Sequence, residues 1–593
     1  MPNTSTPKDT WQDQGMTILN TNPVFLDAAG EGIIWGNGNY RQVVQDANGV
    51  LIWDRQTVDP SYQLGADLSA SSGSSMVGFL QAGVGASARN SQFKMRDIVS
   101  VMDFGAVGDG VTDDSGAILA AATYLSSIGG GTVQFPAPAV SYAMNPTYFN
   151  NLARVKFVGS GAKIIALQPG AAAQSPFSFV NCSDIEIAGL EIDGRYPYWL
   201  GFPPTTNVNN HNLFFNGCQR VDIHDCYLHD SGVNRAVTDK FGDGVYITGL
   251  TSQDISIHNN RFYNAGRWDI ACIELVEGLS ITDNNSTFSS AAPALGCYDI
   301  EMATANPATR NISITGNTSA GRTLIGLSGP EGFSNVVIAN NNLSGYDLSG
   351  NQNTGLYASG ISVQNGSDVL ITGNVVEGYA STQGISLYTC NNYSVTNNII
   401  SSLKGPTLPP VGCFVSGSNS GLISGNTFSV NNAAGYGLQL KTPASDTTIT
   451  SNILSNPLGW GASVSSDLLR FSNNVLAGAT GQAMGLSSAT TGAVVMGNTS
   501  AVAGRLGVGP HYVANNNMTI NTVGGVWYTG GGTYINPDLS AGRSTLFLAA
   551  APTAGAWRAG DIVKNAAPSV GNPKGWVCTV AGTPGTWVSE GNL

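Results

Sequence analysis

The sequence is poor in charge, and this scarcity narrows the classes of protein that it can encode. Asp, Glu, Lys and Arg make up 11% of the 593 residues, whereas there are 75 glycines. Helical bundles need many charged residues on their solvated faces, so this composition argues against them. The net charge is −13 and no basic run occurs, which argues against a nucleic-acid binder. This amino-acid composition favours an all-β fold with many short strands and tight turns.

Signals for metal binding and for membrane insertion are also missing. The eight cysteines form no CxxC pair, and no histidine cluster has metal-ligand spacing. Cys272 and Cys413 lie in strand-like stretches, which favours single buried thiols over disulfides. We therefore predict no metal site and no cofactor. The N-terminal residues lack a basic segment followed by an apolar run, and no stretch is long enough to cross a membrane, which predicts synthesis in a cytoplasm without membrane insertion.

A short element recurs along the chain: an aliphatic residue, any residue, a small polar residue and then Asn. Its copies end at Asn260, Asn284, Asn317, Asn341, Asn374, Asn398, Asn426, Asn452, Asn474, Asn498 and Asn516. Most intervals are roughly 24 or 33 residues, a period that indicates a solenoid or a propeller. Apolar and polar residues alternate before each Asn, as in a strand with one buried face. A terminal Asn or Gly can take the left-handed backbone conformation of a sharp turn.

These features together predict a parallel β-helix. A β-propeller is the second alternative, and it is less favoured because WD and kelch signatures are absent. The longer intervals, Asn284 to Asn317 and Asn341 to Asn374, indicate coils with an extra loop of about nine residues. A longer excursion runs from Gly194 to Asn212. Loops on a rigid scaffold commonly form binding surfaces, so we expect a ligand to bind at loops of this kind.

A segment before the repeats adds a resemblance to a known family. Residues 100–114 read SVMDFGAVGDGVTDD, and a helix-like stretch follows at 115–128. The segment resembles the start of the pectate-lyase-like β-helix superfamily, as found in bacteriophage tailspikes and polysaccharide depolymerases. We expect the acidic residues to cap the helix and the helix to cover the open end of the solenoid. Asp109, Asp113 and Asp114 are accordingly interpreted as structural.

The two ends of the chain carry further resemblances. Residues 22–54 resemble the virion-anchoring domain of many tailspikes, 76–106 look like the neck that follows it, and 550–587 are similar to small C-terminal modules of these fibres. The resemblance implies a right-handed, single-stranded parallel β-helix with small N-terminal anchor and C-terminal β modules. It also implies a homotrimer attached to the phage tail or baseplate. The implied domains are 1–68 for virion attachment, 69–100 for the neck, 101–522 for the β-helix with the glycan site, and 523–593 for trimerisation or carbohydrate binding.

Three successive coils carry acidic residues that can face outward. The catalytic candidates are Asp243, Asp269, Glu274, Asp299 and Glu301. Ile300 is the natural inward residue of its strand, so Asp299 and Glu301 share the outer face. Asp269 and Glu274 are five positions apart, so one faces inward unless the strand bends. Glycoside hydrolysis uses two such carboxyl groups, which is why this cluster is the predicted active site.

The same coils contain aromatic residues next to a cation. Tyr246, Trp268 and Tyr298 with Arg267 are the predicted substrate-binding residues, because an aromatic surface beside a guanidinium suits sugar rings and acidic substituents. Trp268 lies between two charged residues, which favours an exposed position. The histidines at 211, 224, 229 and 258 form no recognisable triad.

The sequence therefore predicts a virion-bound tailspike that acts at the bacterial surface and depolymerises a capsule or O-antigen, as an endo-acting glycoside hydrolase. A polysaccharide lyase is the second enzymatic reading, with Lys240, Arg261 and Arg267 as candidate groups. A non-catalytic adhesin that only binds its receptor is an alternative of a different class. A free secreted pectinase-like enzyme is disfavoured by the anchor-like N-terminus.

Overall fold

The fold was analysed in a computed structural model of the chain. It describes residues 7–57, 60–168, 175–196, 210–232, 242–274, 277–288, 296–301, 309–321, 325–330, 332–345, 359–378, 383–403, 409–441, 443–456, 458–466, 468–477, 484–486, 494–496, 498–500, 506–508, 519–521, 527–528, 545–554 and 557–593. The chain divides into two units, Met1–Ile98 and Val99–Leu593. Among the described residues, no helix combines the length and apolar character needed to cross a membrane.

The first unit is built from small elements. Its strands and helices are Tyr40–Gln45, Leu51–Thr57, helix Pro60–Ser69, 3₁₀ helix Gly73–Met76, Gly78–Phe79, Arg89–Asn90 and helix Ser91–Met95, with Ile98–Ser100 at its boundary. The strands form antiparallel pairs. Of its residues with described burial, only Gly73 is buried, while Phe25 and Ile33 are 81% and 67% exposed. A segment with no apolar interior of its own lacks the main source of folding stability.

The second unit opens with a capping segment. It consists of 3₁₀ helix Val101–Phe104, strand Asp109–Asp113, helix Ser115–Ser127 and strands Gly131–Phe135 and Ser141–Met144. Ile118 and Leu125 of the helix belong to the same buried cluster as the first coils, as expected for a helix that covers the end of a solenoid. Asp114 does not cap this helix with its side chain. Its buried carboxylate instead accepts hydrogen bonds from the backbone N–H groups of Val107, Gly108 and Ala143.

Each following coil contributes up to three strands, which form three parallel stacks. Stack 1 contains Ala153–Ala166, Ser183–Asp193, Gln219–His224, Gln253–His258, Glu277–Thr282, Thr309–Thr315, Phe333–Ala339, Gly366–Thr372, Asn391–Thr396, Asn419–Ser424, Ser445–Thr450, Arg470–Ser472, Val494–Met496 and Thr519–Asn521. Stack 2 contains Tyr227–His229, Arg261–Tyr263, Asn285–Thr287, Thr318–Ala320, Asn342–Ser344, Val375–Glu377, Ile399–Leu403, Thr427–Val430, Ile453–Ser455, Val475–Ala477 and Thr499–Ser500.

Stack 3 is a separate sheet, and its strands follow those of stack 2 along the chain. It contains Thr147–Asn150, Phe177–Val180, Leu213–Asn216, Val245–Thr248, Trp268–Ile273, Gly296–Glu301, Ile325–Ser328, Ser359–Gln364, Gln383–Tyr388, Val411–Ser416, Tyr436–Lys441, Trp460–Val464, Met484–Leu486, Leu506–Val508 and Trp527–Tyr528. Alternate residues of all three stacks face one continuous apolar core. This arrangement is a right-handed parallel β-helix, so the predicted fold class is confirmed.

The recurring asparagines form a ladder inside the turn between stacks 1 and 2. Asn341 is 1% exposed. Its Oδ1 accepts from the backbone N–H of Asn317 at 3.0 Å and from Asn317 Nδ2 at 2.9 Å, and its Nδ2 donates to the carbonyl of Ile314 at 2.9 Å. Nδ2 also donates to Asn374 Oδ1 at 2.9 Å. The pattern repeats between successive ladder residues from Asn260 to Asn498.

The left-handed conformation of the turn lies one residue earlier than the sequence suggested. Asn340, which precedes Asn341, has φ 56° and is exposed, and Gly373 before Asn374 has φ 66°. The expectation that the repeat's final Asn takes this conformation was wrong. That Asn is buried because its side chain satisfies backbone groups of neighbouring coils.

The chain ends in a small sheet of four strands, Thr545–Leu548, Ile562–Asn565, Gly575–Val580 and Thr586–Ser589. Its interior is a separate cluster of Trp557, Val563 and Cys578. The rings of Trp557 and Trp587 meet edge to face, with centroids 5.0 Å apart. Both indole N–H groups donate to nearby backbone carbonyls, which fits a structural use of these tryptophans.

Candidate functional site

The predicted acidic residues map to three neighbouring strands of stack 3, Val245–Thr248, Trp268–Ile273 and Gly296–Glu301. These strands follow the corner that joins stack 2 to stack 3. The longest sequence intervals between successive strands of stacks 2 and 3, residues 194–212, 230–244 and 345–358, fall at this corner. The corner is therefore the place where chain length varies between coils, beside a regular sheet.

Backbone register assigns positions 299 and 301 to outward columns of this sheet. Asp299 pairs with Ala271 and Gly326, and Glu301 pairs with Ile273 and Ser328. The intervening Ile300 pairs with Cys272 and Leu327, both fully buried in the core. Positions 299 and 301 therefore share the face opposite to the core. The side chains of residues 299–301 lie outside the described part of the structure.

Asp243 sits at the corner, where it holds Arg267. The Asp243 side chain is fully buried, and its two oxygens accept from Arg267 Nε at 2.9 Å and from Nη2 at 2.7 Å. Oδ1 also accepts from the backbone N–H of Trp268 at 3.0 Å. Nδ1 of the buried His211 accepts from the backbone N–H of Asp243 at 3.0 Å and lies 3.2 Å from Oδ2.

These contacts decide the protonation of Asp243. Burial, the largest single influence, would by itself raise the pKa of the carboxyl group, but the guanidinium of Arg267 and the side chain of His211 together outweigh burial and hold the pKa well below its usual range. A carboxylate that stays ionised and accepts a bidentate bond cannot donate a proton in the working pH range. Asp243 therefore suits a positioning role, and its prediction as a proton-transferring residue does not fit this environment.

Two of the predicted sugar-binding aromatics are buried. Tyr298 is 1% exposed and pairs with Ile270 and Ile325, which both lie in the main core. Trp268 is 2% exposed and forms a small separate cluster with Ala271. The expectation of an exposed Trp268 was wrong, because its ring packs instead of projecting between its charged neighbours. Neither ring forms an accessible sugar platform.

Tyr246 is the predicted aromatic that remains half-buried. Its ring stacks on His211 with centroids 4.6 Å apart, packs against the Trp268 cluster, and lies 5.9 Å from the Arg267 guanidinium carbon. Arg267 keeps 25% of its side chain exposed. The corner thus places a partly exposed guanidinium and a half-buried tyrosine together, one strand away from the pair of Ala271 with Asp299.

The other two acidic candidates lie in the Trp268–Ile273 strand and directly after it. Asp269 is 1% exposed. Glu274 is half-buried and has φ 69°, so the chain leaves the strand direction at this residue. The alternation of inward and outward side chains along the strand therefore does not extend to Glu274. A separation of five positions thus does not require Asp269 and Glu274 to lie on opposite faces of the sheet.

The structure also brings together a charged cluster that sequence reasoning missed. His229 Nδ1 lies 2.8 Å from Asp230 Oδ2 and 3.8 Å from Asp193 Oδ1, and its Nε2 lies 3.4 Å from Glu191 Oε1. Lys163 Nζ lies 2.9 Å from Asp193 and 3.0 Å from Glu191. Asp193, His229 and Asp230 lie close enough for shared metal ligation. The lysine already supplies positive charge there, so the cluster is explained as an ion-pair network.

A family model described as "Right handed beta helix region" matches residues 334–500, which agrees with the coils of that segment. The curated "Uncharacterized protein YclG" of Bacillus subtilis (strain 168) is 26% identical over 215 residues. That alignment covers 34% of this chain, and the chain spans 32% of the length of this relative.

Similar solved structures include an epimerase module and two bacteriophage tailspikes. The mannuronan C-5 epimerase AlgE6 A-module of Azotobacter vinelandii is 15% identical, with TM-score 0.39 and coverage of 72% of this chain and 99% of that chain. Tailspike protein 3 of bacteriophage CBA120 is 14% identical, with TM-score 0.43 and coverage of 95% and 81%. The tailspike of E. coli bacteriophage HK620 in complex with pentasaccharide is 13% identical, with TM-score 0.43 and coverage of 89% and 98%.

Proposed function

We propose that this protein is a phage tailspike that binds a bacterial surface polysaccharide and cleaves it as an endo-acting glycosidase. In this proposal the chain is a homotrimer, its N-terminal unit attaches to the phage tail, and it is made in the host cytoplasm and acts at the cell surface. The observation that carries the catalytic part is the position of Asp299 and Glu301 on one outward face, beside the corner with the longest sequence intervals between strands.

The backbone spacing of these two positions leaves room for hydrolysis with inversion. Residues i and i+2 of a strand are about 6.7 Å apart along the backbone. Inverting glycosidases separate their carboxyl groups by roughly 6.5–9.5 Å, which leaves room for a water molecule. One carboxylic acid protonates the glycosidic oxygen, and the other carboxylate removes a proton from the attacking water. Asp269 and Glu274 are the nearest further acidic residues and belong to the preceding coil.

A lyase is the second candidate, and Arg267 is the observation that favours it. A fixed guanidinium can neutralise the carboxylate of a uronic acid, which makes the neighbouring proton easier to remove. β-Elimination leaves an unsaturated uronate that absorbs ultraviolet light, whereas hydrolysis does not.

The test uses the purified full chain and capsule or lipopolysaccharide from a susceptible host. Chain length is followed by size-exclusion chromatography, and unsaturated products are followed by ultraviolet absorbance. We expect shortening without absorbance for the wild type, and loss of shortening in Asp299→Asn and Glu301→Gln.

Glu377→Gln is the matched control, because Glu377 is an exposed carboxylate on stack 2. Full cleavage activity in both amide variants at positions 299 and 301 would contradict this active site. Binding without any shortening by the wild type would leave a non-catalytic adhesin.

A further inference from the structure

Asp243 and Arg267 form an ion pair at the corner of the β-helix in which the carboxylate is buried and the guanidinium is partly exposed. Its carboxylate is fully enclosed, whereas a quarter of the Arg267 side chain reaches the surface. The negative end of the pair therefore points into the protein and the positive end points outward. Burial of a carboxylate is costly unless a partner compensates it, and here two guanidinium bonds and one backbone bond do so.

Two further contacts help to fix the guanidinium in place. His211 is buried and bonds to the backbone N–H of Asp243, so the residue that holds Arg267 is itself held. The backbone N–H of Arg267 donates to the carbonyl of Gly242 at 3.0 Å. The bidentate bond to Asp243 restricts rotation of the guanidinium plane, which a single contact would leave free.

In the described part of the chain, the other charged residues near Arg267 are acidic. The charged residues of the corner segments 242–244 and 264–267 and of the three site strands, within the described chain, are Asp243, Arg267, Asp269, Asp299 and Glu301. Among these described residues Arg267 is the one cation, and it is partly exposed whereas Asp243 and Asp269 are buried. An anionic sugar that reaches this corner therefore meets a positive charge at a defined point.

We propose that Arg267, positioned by Asp243 and His211, selects a carboxylate-bearing sugar in the polysaccharide, with the half-buried Tyr246 contacting the same ring. This inference rests on the proposed polysaccharide binding and names its substrate class. A guanidinium binds a carboxylate more strongly than a hydroxyl group because the hydrogen bond between them is charge-assisted. Tyr246 is close to the guanidinium, so one sugar ring can reach both.

The experiment compares each glycan with its own neutral form. A panel of purified capsular polysaccharides that contain uronic acids is used, each before and after chemical reduction of the carboxyl groups to alcohols. Binding of the full chain is measured by biolayer interferometry. We expect the wild type to bind its acidic glycan about tenfold to a hundredfold more tightly than the reduced form, the range of a charge-assisted hydrogen-bonded pair.

Arg267→Met should remove this preference, so that the acidic and the reduced glycan bind with equal affinity. Arg267→Lys keeps the charge without the planar pair, so it should retain a smaller preference and guards against a folding defect in the methionine variant. Arg310→Met is the matched control, because Arg310 is an exposed arginine paired with Glu277 on stack 1. Its preference should equal that of the wild type. Thermal unfolding of each variant separates loss of recognition from loss of structure.

Two results would overturn the inference. One is a wild type that binds acidic and reduced glycans equally, in which case polysaccharide binding stands and the acidic specificity falls. The other is a folded Arg267→Met variant that keeps the full preference, which would move recognition to another residue. Absence of binding to every acidic and neutral glycan in a wider panel of surface polysaccharides would instead overturn the proposed function itself.

Discussion

The asparagine ladder gives a prediction whose magnitude can be worked out bond by bond. Replacing Asn341 with Ala removes a buried side chain that takes part in four hydrogen bonds, two accepted from Asn317 and one donated to each of Ile314 and Asn374. The backbone N–H of Asn317 loses its acceptor as a result. A net loss of about 1 kcal/mol for each bond, with a further penalty of about 1–3 kcal/mol for a buried orphan, predicts a loss of about 5–7 kcal/mol.

The matched control is Asn342→Ala. Asn342 is the next residue and has the same side chain, but it is exposed. Substitutions of exposed residues without special contacts usually change stability by less than about 0.5 kcal/mol. The comparison therefore separates the ladder contacts from any general effect of removing an asparagine in this turn.

The assay combines a global and a local measurement. Denaturant unfolding followed by circular dichroism gives the change in stability of the solenoid. Hydrogen exchange read by mass spectrometry gives the protection of the peptide that contains the Asn317 amide, which should fall by at least about a thousandfold for a loss of 4 kcal/mol or more. Equal stability and equal protection in the two alanine variants would refute the view that the ladder stabilises the turn.

Three further predictions follow from other contacts. The lowered pKa of Asp243 means that this group stabilises the fold above the ordinary Asp range, and that the contribution is lost as pH falls from there towards its folded-state pKa. The stability difference between the wild type and Asp243→Asn, measured by urea unfolding, should therefore shrink as the pH is lowered below about 4; a constant difference would contradict it. Asp114→Ala leaves three backbone N–H groups without their acceptor, so we expect a loss of about 3 kcal/mol or more in thermal unfolding, and an unchanged melting temperature would argue against this cap. Gly421→Ala places a methyl group against the ring of Tyr393, which should cost about 1–3 kcal/mol in urea unfolding; a neutral effect would mean that the ring can move away.

Much of the solenoid could be predicted from the sequence because each coil repeats the same local pattern. The alternation that placed Ile300 inward and Asp299 and Glu301 outward agrees with the strand register. The same alternation applied to Tyr298, two positions before Ile300, assigns it to the core, where the structure has it. Treating Tyr298 as a surface residue departed from a rule that the strand itself supplied.

The pairing of Asp243 with Arg267 was harder to predict, although a signal existed. The two residues are 24 positions apart, which is one interval of the repeat, so they occupy neighbouring coils. Which of them is buried depends on the packing of His211 and Trp268 at the corner, and local sequence does not encode that packing. The burial of Trp268 has the same origin, because its cluster with Ala271 forms only when neighbouring coils stack.

The ladder has a consequence for how such a chain can acquire new binding surfaces. Successive ladder asparagines are separated by between 22 and 33 residues, yet they make the same bonds. The segment between two of them can therefore be lengthened, shortened or exchanged as a cassette without breaking the hydrogen bonds of the asparagine ladder on either side. A recombination event that replaces one such cassette needs to match its neighbours only at the asparagines and the strand pattern. The asparagine ladder thus lets the scaffold stay constant in evolution while the surface between ladder residues changes.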